Sequence, residues 1–434
     1  MKYPANTFPR IELSADEEVA FAATAEELVK RTVMQYHEHL TRFNGVVDEY
    51  RWKQVKRRED VRVYRERHPG ANDEDSEPPL NDLNDATDDK GVAPHLLVLG
   101  TTPGLLDDVV YGALCPTEDD MKLKSAYVED EYLHRTVLVP ILSPTPESPL
   151  RDLAVKWSVR GHPLLPDSIA RRRDAVYIES TGFAQTPNGE RIGYHLYRSV
   201  ELSAARELVE LNIVRARIEC CCLFRQRTPT TVEVYTRGFI QSGGSATASL
   251  AMAYTVGIAV SVWRNVHCAE MKKLTRLLRS AHDDVTGASN FAALSSTNLI
   301  NSTSSGSSGA SGTIATTSSE SSSTENKCAV CSERVGGRMS SLSGGSTKDK
   351  HCRICDRRVC SRCRVYKEVY SRPEFESAMR PVSITFCTQC VLAVSRASAV
   401  KFAEYDARER QGKPVPKSAI LEEILPWWSF MAVR

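Results

Sequence analysis

Eight of the thirteen cysteines in this 434-residue chain lie between Cys328 and Cys390, as four Cys-x-x-Cys pairs. The pairs are Cys328/Cys331, Cys352/Cys355, Cys360/Cys363 and Cys387/Cys390. A closed tetrahedral zinc site takes four thiolates, two from each of two short knuckles, so four knuckles fit two structural zinc ions with no ligand left over. Only four residues separate Cys355 from Cys360, too few for the second and third pairs to close one site around a core of their own. Interleaving follows: Cys328, Cys331, Cys360 and Cys363 hold one Zn²⁺, and Cys352, Cys355, Cys387 and Cys390 hold the other. A disulfide framework suits small secreted chains, and residues 1–30 do not read as a signal peptide, so a reducing compartment is expected.

No other residues carry chemistry of this kind. Cys115, Cys220, Cys221, Cys222 and Cys268 have no ligand spacing and read as small buried thiols. The histidines are scattered, no Gly-x-Ser-x-Gly elbow occurs, and four-thiolate sites leave no open metal position for water. No enzyme is expected. The net charge is only +1, but residues 328–390 carry twelve Lys/Arg against six Asp/Glu, while residues 70–89 carry eight acidic residues and no basic one. The cysteine-rich stretch is therefore the expected docking surface for an anion or a protein partner, with no nucleic acid expected.

The elements that must position these residues follow from periodicity. Residues 14–40 place Val19, Ala22, Ala23, Leu28, Val33, Tyr36 and Leu40 at helical spacing behind a Ser14–Glu17 capping box. Residues 51–67 read as a helix end or turn entering a first strand, and the acidic stretch 68–91 as a loop. Strands are expected at 96–99, 121–128, 133–142, 152–160 (half-buried), 175–179, 193–202, 214–224 and 231–241, with a short helix at 104–114. Successive strands with short turns imply an antiparallel sheet. Residues 239–263 contain no charge, and a row of Leu250, Tyr254, Ile258, Val262 and Val266 runs on into polar sequence. That is the pattern of a buried helix rather than a membrane span. Residues 283–326 are Ser, Thr and Gly, a linker composition. Residues 391–410 read as a helix broken by Pro414 and Pro416, and residues 421–431 hold Trp427, Trp428 and Phe430, suited to a membrane interface or to folding back on the first domain.

Two stretches resemble known families. Trp52-Lys53 before Val61-Arg62-Val63-Tyr64, Pro149-Leu150-Arg151-Asp152 opening a strand, and a helix closing after residues 231–241 resemble the START lipid-binding domain, over residues 14–282. That resemblance implies a helix-grip fold, a curved antiparallel sheet around a long C-terminal helix, with a tunnel for one lipid or sterol. Leu250, Tyr254 and Ile258 are the candidate tunnel wall. His351-Cys352-Arg353-Ile354-Cys355 followed by Cys360-Ser361-Arg362-Cys363 resembles the FYVE-type finger, over residues 327–392. That implies cross-braced zincs and a basic patch for phosphatidylinositol 3-phosphate on endosomal membranes, with Lys348, Lys350, His351, Arg353, Arg357 and Arg358 as candidate headgroup donors. Lys350 stands where the family has a first His, Asp356 where it has Gly, and Ile384-Thr385-Phe386 precedes Cys387 in place of Arg-Val. The expected fold class is therefore α+β, a START-like domain (14–282), a linker (283–326), a two-zinc finger (327–392) and a tail (393–434). The expected role is a cytoplasmic, peripheral lipid-binding, transfer or sensing protein that docks on an anionic phospholipid membrane. A RING-like ubiquitin ligase and a scaffold that binds no lipid are the alternatives; a RING usually has a His among its ligands, and here all eight are Cys.

Overall fold

The computed structural model describes residues 7–58, 60–67, 95–130, 132–161, 171–241, 243, 263–286, 327–335, 350–371 and 379–425. They divide between two compact units, Met1–Glu270 with Ser398–Pro414, and Met271–Ala397 with Val415–Arg434.

The first unit is α+β and is built on one large sheet. Its strands are β1 (Trp52–Arg58), β2 (Val61–Glu66), β3 (Leu96–Pro103), β4 (Tyr132–Leu142), β5 (Asp152–Arg160), β6 (Arg173–Gln185), β7 (Arg191–Ser199), β8 (Val214–Arg215), β9 (Arg217–Thr228) and β10 (Thr231–Gln241). They pair in the order β1-β2-β3-β10-β9-β7-β6-β5-β4, all antiparallel, and the two-residue β8 adds parallel to β6.

Helix α1 (Ala15–Thr41) starts at the expected capping box, with Glu17 N–H donating to Ser14 Oγ at 3.3 Å and Ser14 N–H donating to the Glu17 carboxylate at 2.8 Å. Its Ala25, Leu28, Val29, Val33 and Tyr36 pack into one core with Leu153, Val155, Trp157, Val176, Ile178, Ile192, Leu196 and Leu223 on one face of the sheet. The opposite face carries α2 (Leu106–Ala113), α3 (Glu118–Val128) and the start of α4 (Asn265–Thr286). The approach is close. A Cβ on Gly193 of β7 would lie 2.6 Å from Val110, and one on Gly112 would lie 1.9 Å from the Asn265 carbonyl oxygen, so both positions need glycine.

Helices on both faces change the reading of β5. All nine of its residues are buried, where alternation with polar and small neighbours predicts a half-buried strand. Residues 121–128 are helix rather than strand, because Thr117 caps α3 by accepting from Asp120 N–H at 3.1 Å and three acidic residues fill the first turn. Residues 51–67 form the β1–β2 hairpin: the expected first strand is β2, and the stretch before it, read as a helix end or turn, is the strand β1. The helix expected over 391–410 is two helices, α5 (Thr388–Arg396) and α6 (Ala399–Arg410), broken where Ser398 caps α6 through Lys401 N–H at 3.4 Å. Helix α6 belongs to the first unit. There Tyr111 Oη of α2 donates to Asp406 at 2.7 Å, and Phe402, Ala403 and Ala407 are fully buried.

The second unit contains the antiparallel hairpin of β11 (Arg364–Ser371) and β12 (Arg380–Cys387), followed by α5 and, farther along, by α7 (Lys417–Ile424). Buried Lys273 of α4 donates to the Ala397 carbonyl at the end of α5, at 2.7 Å. A cation at that end meets the negative pole of the α5 dipole. Among the described residues no helix is long and apolar enough to cross a membrane. The apolar run 244–262, with Leu250, Tyr254 and Ile258, lies outside the described residues, as do Lys348, the acidic stretch 70–89, residues 426–434 and residues 287–326 of the expected linker 283–326, whose first four residues end α4.

Candidate metal centres and a candidate ligand pocket

The cysteine knuckles are built by the same local device twice. In each of the first two Cys-x-x-Cys turns, the residue after the second cysteine has left-handed backbone, Ser332 at φ 60° and Asp356 at φ 52°. Asp tolerates that region better than most residues, which suits Asp356 to the second turn. The turns close through Ser332 N–H to Cys328 O at 2.9 Å and Asp356 N–H to Cys352 O at 2.7 Å. Backbone N–H groups also point at sulfur: Val330 and Cys360 donate to Cys328 Sγ at 3.4 Å, and Cys390 donates to Cys387 Sγ at 3.3 Å. Such bonds favour the thiolate.

The eight sulfurs gather as Cys328, Cys331, Cys360 and Cys363, and as Cys352, Cys355, Cys387 and Cys390, with the ligand atoms of each set within 4.8 Å of one another. Each set can hold a metal ion. The two sets are linked through the backbone, with Ala329 N–H donating to Arg358 O at 2.9 Å and Thr388 N–H to Cys363 O at 3.0 Å, while Arg353 N–H to Thr385 O at 3.0 Å ties the two knuckles of the second set together. Cys115, Cys220, Cys221, Cys222 and Cys268 are all buried and join neither set.

Of the candidate headgroup donors, Lys350, His351, Arg353, Arg357 and Arg358 lie on one knuckle. His351 bridges Arg358 across it, and Val359 N–H donates to Lys350 O at 2.8 Å. Arg353 is exposed at the turn. His351 Nδ1 lies 3.1 Å from Asp356 O, and Arg357 donates to Gln389 at 3.4 Å. The knuckle therefore presents a row of cations, with parts of it already bonded within the module.

A second constellation lies on the face of the large sheet opposite α1. Tyr132, Tyr177, Tyr197, Ile218 and Ile240 wall a pocket that also touches the polar and charged Ser158, Arg160, Arg173 and Asp174. Arg135 and Arg160 each hold a guanidinium carbon 4.3 Å from the Tyr132 ring centroid. One step along the same strands is a buried charge cluster that the sequence reading missed. Lys156 Nζ lies 3.1 Å from Glu179, 3.6 Å from Asp152 and 2.8 Å from the Cys115 carbonyl that it donates to. His195 Nε2 lies 2.6 Å from the other Glu179 oxygen, and Arg135 lies 3.8 Å from Glu179.

Burial works against every charge here, and pairing decides which survive. The Glu179 carboxyl would rise on burial, but Lys156 and the His195 hydrogen bond hold it well below the usual range. The Lys156 ammonium is disfavoured by burial and rescued by Glu179 and Asp152, so its pKa rises. Asp152, the second carboxyl against one ammonium, is pushed by burial up to about 6. Burial and the nearby Lys124 ammonium lower His195 to about 4, so it is neutral near pH 7. A neutral His195 facing a carboxylate carries its proton on Nε2, which leaves Nδ1 a buried acceptor with no hydrogen-bond partner. The signal for this cluster was in the sequence as Asp152, Lys156 and Glu179 at alternate positions of two strands, but such spacing equally describes a solvated face.

No protein-family model matches the chain, and no curated protein matches it. Among solved structures it is similar to human StAR-related lipid transfer protein 5, at 14% identity over 58% of this chain and 97% of that one, with a TM-score of 0.37. It is also similar to human STARD10, at 11% identity over 61% of this chain and 85% of that one, with a TM-score of 0.36. A third is a fragment of the STAR-related lipid transfer protein from Xanthomonas axonopodis, at 14% identity over 50% of this chain and 98% of that one, with a TM-score of 0.34. Likeness at this distance shows no family for this chain.

Proposed function

We propose that the chain is a non-enzymatic lipid-binding protein. Its first unit holds a lipid or sterol on the sheet face opposite α1, in the manner the START resemblance implies. Its two thiolate sets hold structural Zn²⁺ and form a FYVE-related finger that docks on an anionic membrane. The observation that carries this reading is the tyrosine- and isoleucine-walled pocket beside a charge cluster whose buried polar atoms without a hydrogen-bond partner include His195 Nδ1, Arg135 Nε and Tyr177 Oη. An amphipathic ligand matches both parts, an apolar body against Tyr177, Tyr197 and Ile218, and a hydroxyl donor for His195. Four thiolates in a closed site favour zinc among common divalent ions, and they give it a structural rather than catalytic role. The exposed Arg353 and its knuckle neighbours support docking to phosphate-bearing headgroups.

The test is mass spectrometry of the purified full chain and of its organic extract. About one equivalent of a lipid or sterol is expected, with enrichment over the host's bulk lipid composition. A chain that carries no lipid and takes up none from a panel of sterols, phospholipids and ceramides would refute the reading.

A further inference from the structure

The β1–β2 hairpin forms one edge of the large sheet, and its charges are arranged against ordinary sheet chemistry. Directly opposite partners across the hairpin include Lys53 with Arg65, and Arg57 with Arg62. Like charges face to face across a strand pair are destabilising. Lys56 adds a further cation to the edge strand itself. Among the described residues, Lys53, Lys56, Arg62 and Arg65 have no ion-pair partner, whereas Arg51 is paired with Glu66 at 2.8 Å. The carboxylates nearby do not neutralise them: Asp48 is engaged by the N–H of Tyr50 at 2.9 Å, and Glu49 and Asp60 remain.

The loop that leads from α1 into this edge exposes apolar side chains. Phe43 is 39% exposed, Val46 67% and Tyr50 96%, and Val55 on β1 is 37% exposed. The loop is held in shape rather than loose. Asn44 (φ 51°) and Gly45 (φ 72°) make a left-handed turn, closed by Gly45 N–H to His39 O at 2.9 Å and Val46 N–H to Phe43 O at 2.8 Å. Cations on an edge strand also discourage sheet-to-sheet pairing, but that role leaves the apolar loop beside them unexplained.

We propose that this edge is a membrane-docking surface of the first unit, with Lys53, Lys56 and Arg65, which share one face of the hairpin, meeting anionic phospholipid headgroups and Phe43, Val46 and Tyr50 entering the bilayer interface. Aromatic and aliphatic side chains beside unpaired cations match a charged headgroup layer over an apolar one, which neither a nucleic acid nor an acidic peptide provides. The surface acts independently of the finger and of any ligand in the pocket.

The test is sedimentation of the full chain with phosphatidylcholine vesicles containing phosphatidylserine and no phosphoinositide. Three variants are compared with wild type: Lys53→Glu/Lys56→Glu, Phe43→Ser/Tyr50→Ser, and the finger variant Lys350→Ala/Arg353→Ala. All the altered hairpin and loop side chains are at least partly exposed, so unchanged thermal melts are expected. Charge reversal is expected to lower partitioning at least about 10-fold, since each basic residue near an anionic surface contributes about 1 kcal/mol. The loop variant, with charge unchanged, is expected to lower it several-fold, and the finger variant to leave a fraction that still depends on Lys53 and Lys56. The proposal is overturned if wild type does not partition, if the hairpin variant partitions like wild type, or if only the finger variant loses binding. A loss on charge reversal without a loss in the loop variant overturns the bilayer in favour of another polyanion.

Discussion

His195 and Asp152 titrate in opposite senses, and this gives the buried cluster a pH signature. His195 falls from 6.5 in the unfolded chain to about 4 in the fold, so between those values the folded state binds fewer protons and stability rises with pH. Asp152 rises from 3.8 to about 6, so over that window the folded state binds more protons and stability falls with pH. The two nearly cancel. Wild-type stability in urea is therefore expected to change little between about pH 4.5 and 6, whereas His195→Gln exposes the Asp152 slope and makes stability fall as pH rises. The shift of His195 from 6.5 to about 4 corresponds to about 3 kcal/mol across the window. If the His195→Gln profile matches wild type, the histidine is not held neutral in the fold. At the metal sites, Cys360→Ser removes a ligand from the first set, and the backbone links between the sets carry the damage to the second. Zinc content measured by atomic emission is expected to fall from two ions per chain to one or fewer, with rapid proteolysis within residues 327–396; a protected Cys387/Cys390 region would show that the two sites fold separately. The cysteine sets were legible because ligand spacing is local. The charge cluster was not, because whether Lys156 and Glu179 face water depends on α2 and α3 covering the second sheet face.

Among the elements, α6 is the one whose position in sequence misleads. It follows the finger, yet it packs within the first unit against α2, with Tyr111 bonded to Asp406 and Phe402 buried. A chain ending at Ala397 is expected to melt well below one ending at Pro414, measured on the sheet signal by circular dichroism. In the full chain, Phe402→Ala is expected to cost about 3–5 kcal/mol and Tyr111→Phe about 1.5 kcal/mol. Equal melts for the two truncated chains would show that α6 contributes nothing to the first unit. Capping chemistry made α1 readable to within one residue at its start, since Ser14 and Glu17 are both the signal and the structure. The same chemistry at Thr117 and Asp120 was outweighed by the alternation of Met121, Lys122, Leu123 and Lys124 in α3, which carries the period of a strand. Of the β1–β2 hairpin, β2 was legible in Val61, Val63 and Tyr64, while β1 was obscured by its charge, because a strand as cationic as this lacks the alternation that marks a half-buried sheet.

For the molecule as a whole, the metal sites and the sheet are expected to fail separately. A strong zinc chelator should release two ions per chain and unfold residues 327–396, while the sheet transition persists, since no cysteine of either set lies in the large sheet. Loss of both transitions together would contradict two separately stabilised units. The α+β class and the antiparallel sheet followed from alternating strands with short turns, and the strand ends at 152–160 and 231–241 agree with β5 and β10. What periodicity did not reach is the layering, because burial on both faces is a property of the assembled sheet.

The amphipathic ligand proposed for the first unit rests its apolar body against Tyr177 and Tyr197 on the sheet face opposite α1. Photo-crosslinking of the full chain with a diazirine-bearing sterol and a diazirine-bearing acyl lipid, followed by peptide mapping, tests it most directly. Adducts are expected to concentrate in peptides of β5, β6, β7 and β9, competed by unlabelled lipid and reduced in Tyr177→Arg. Adducts confined to the exposed loop around Tyr50 or to the finger, with none competed from the sheet peptides, would contradict it.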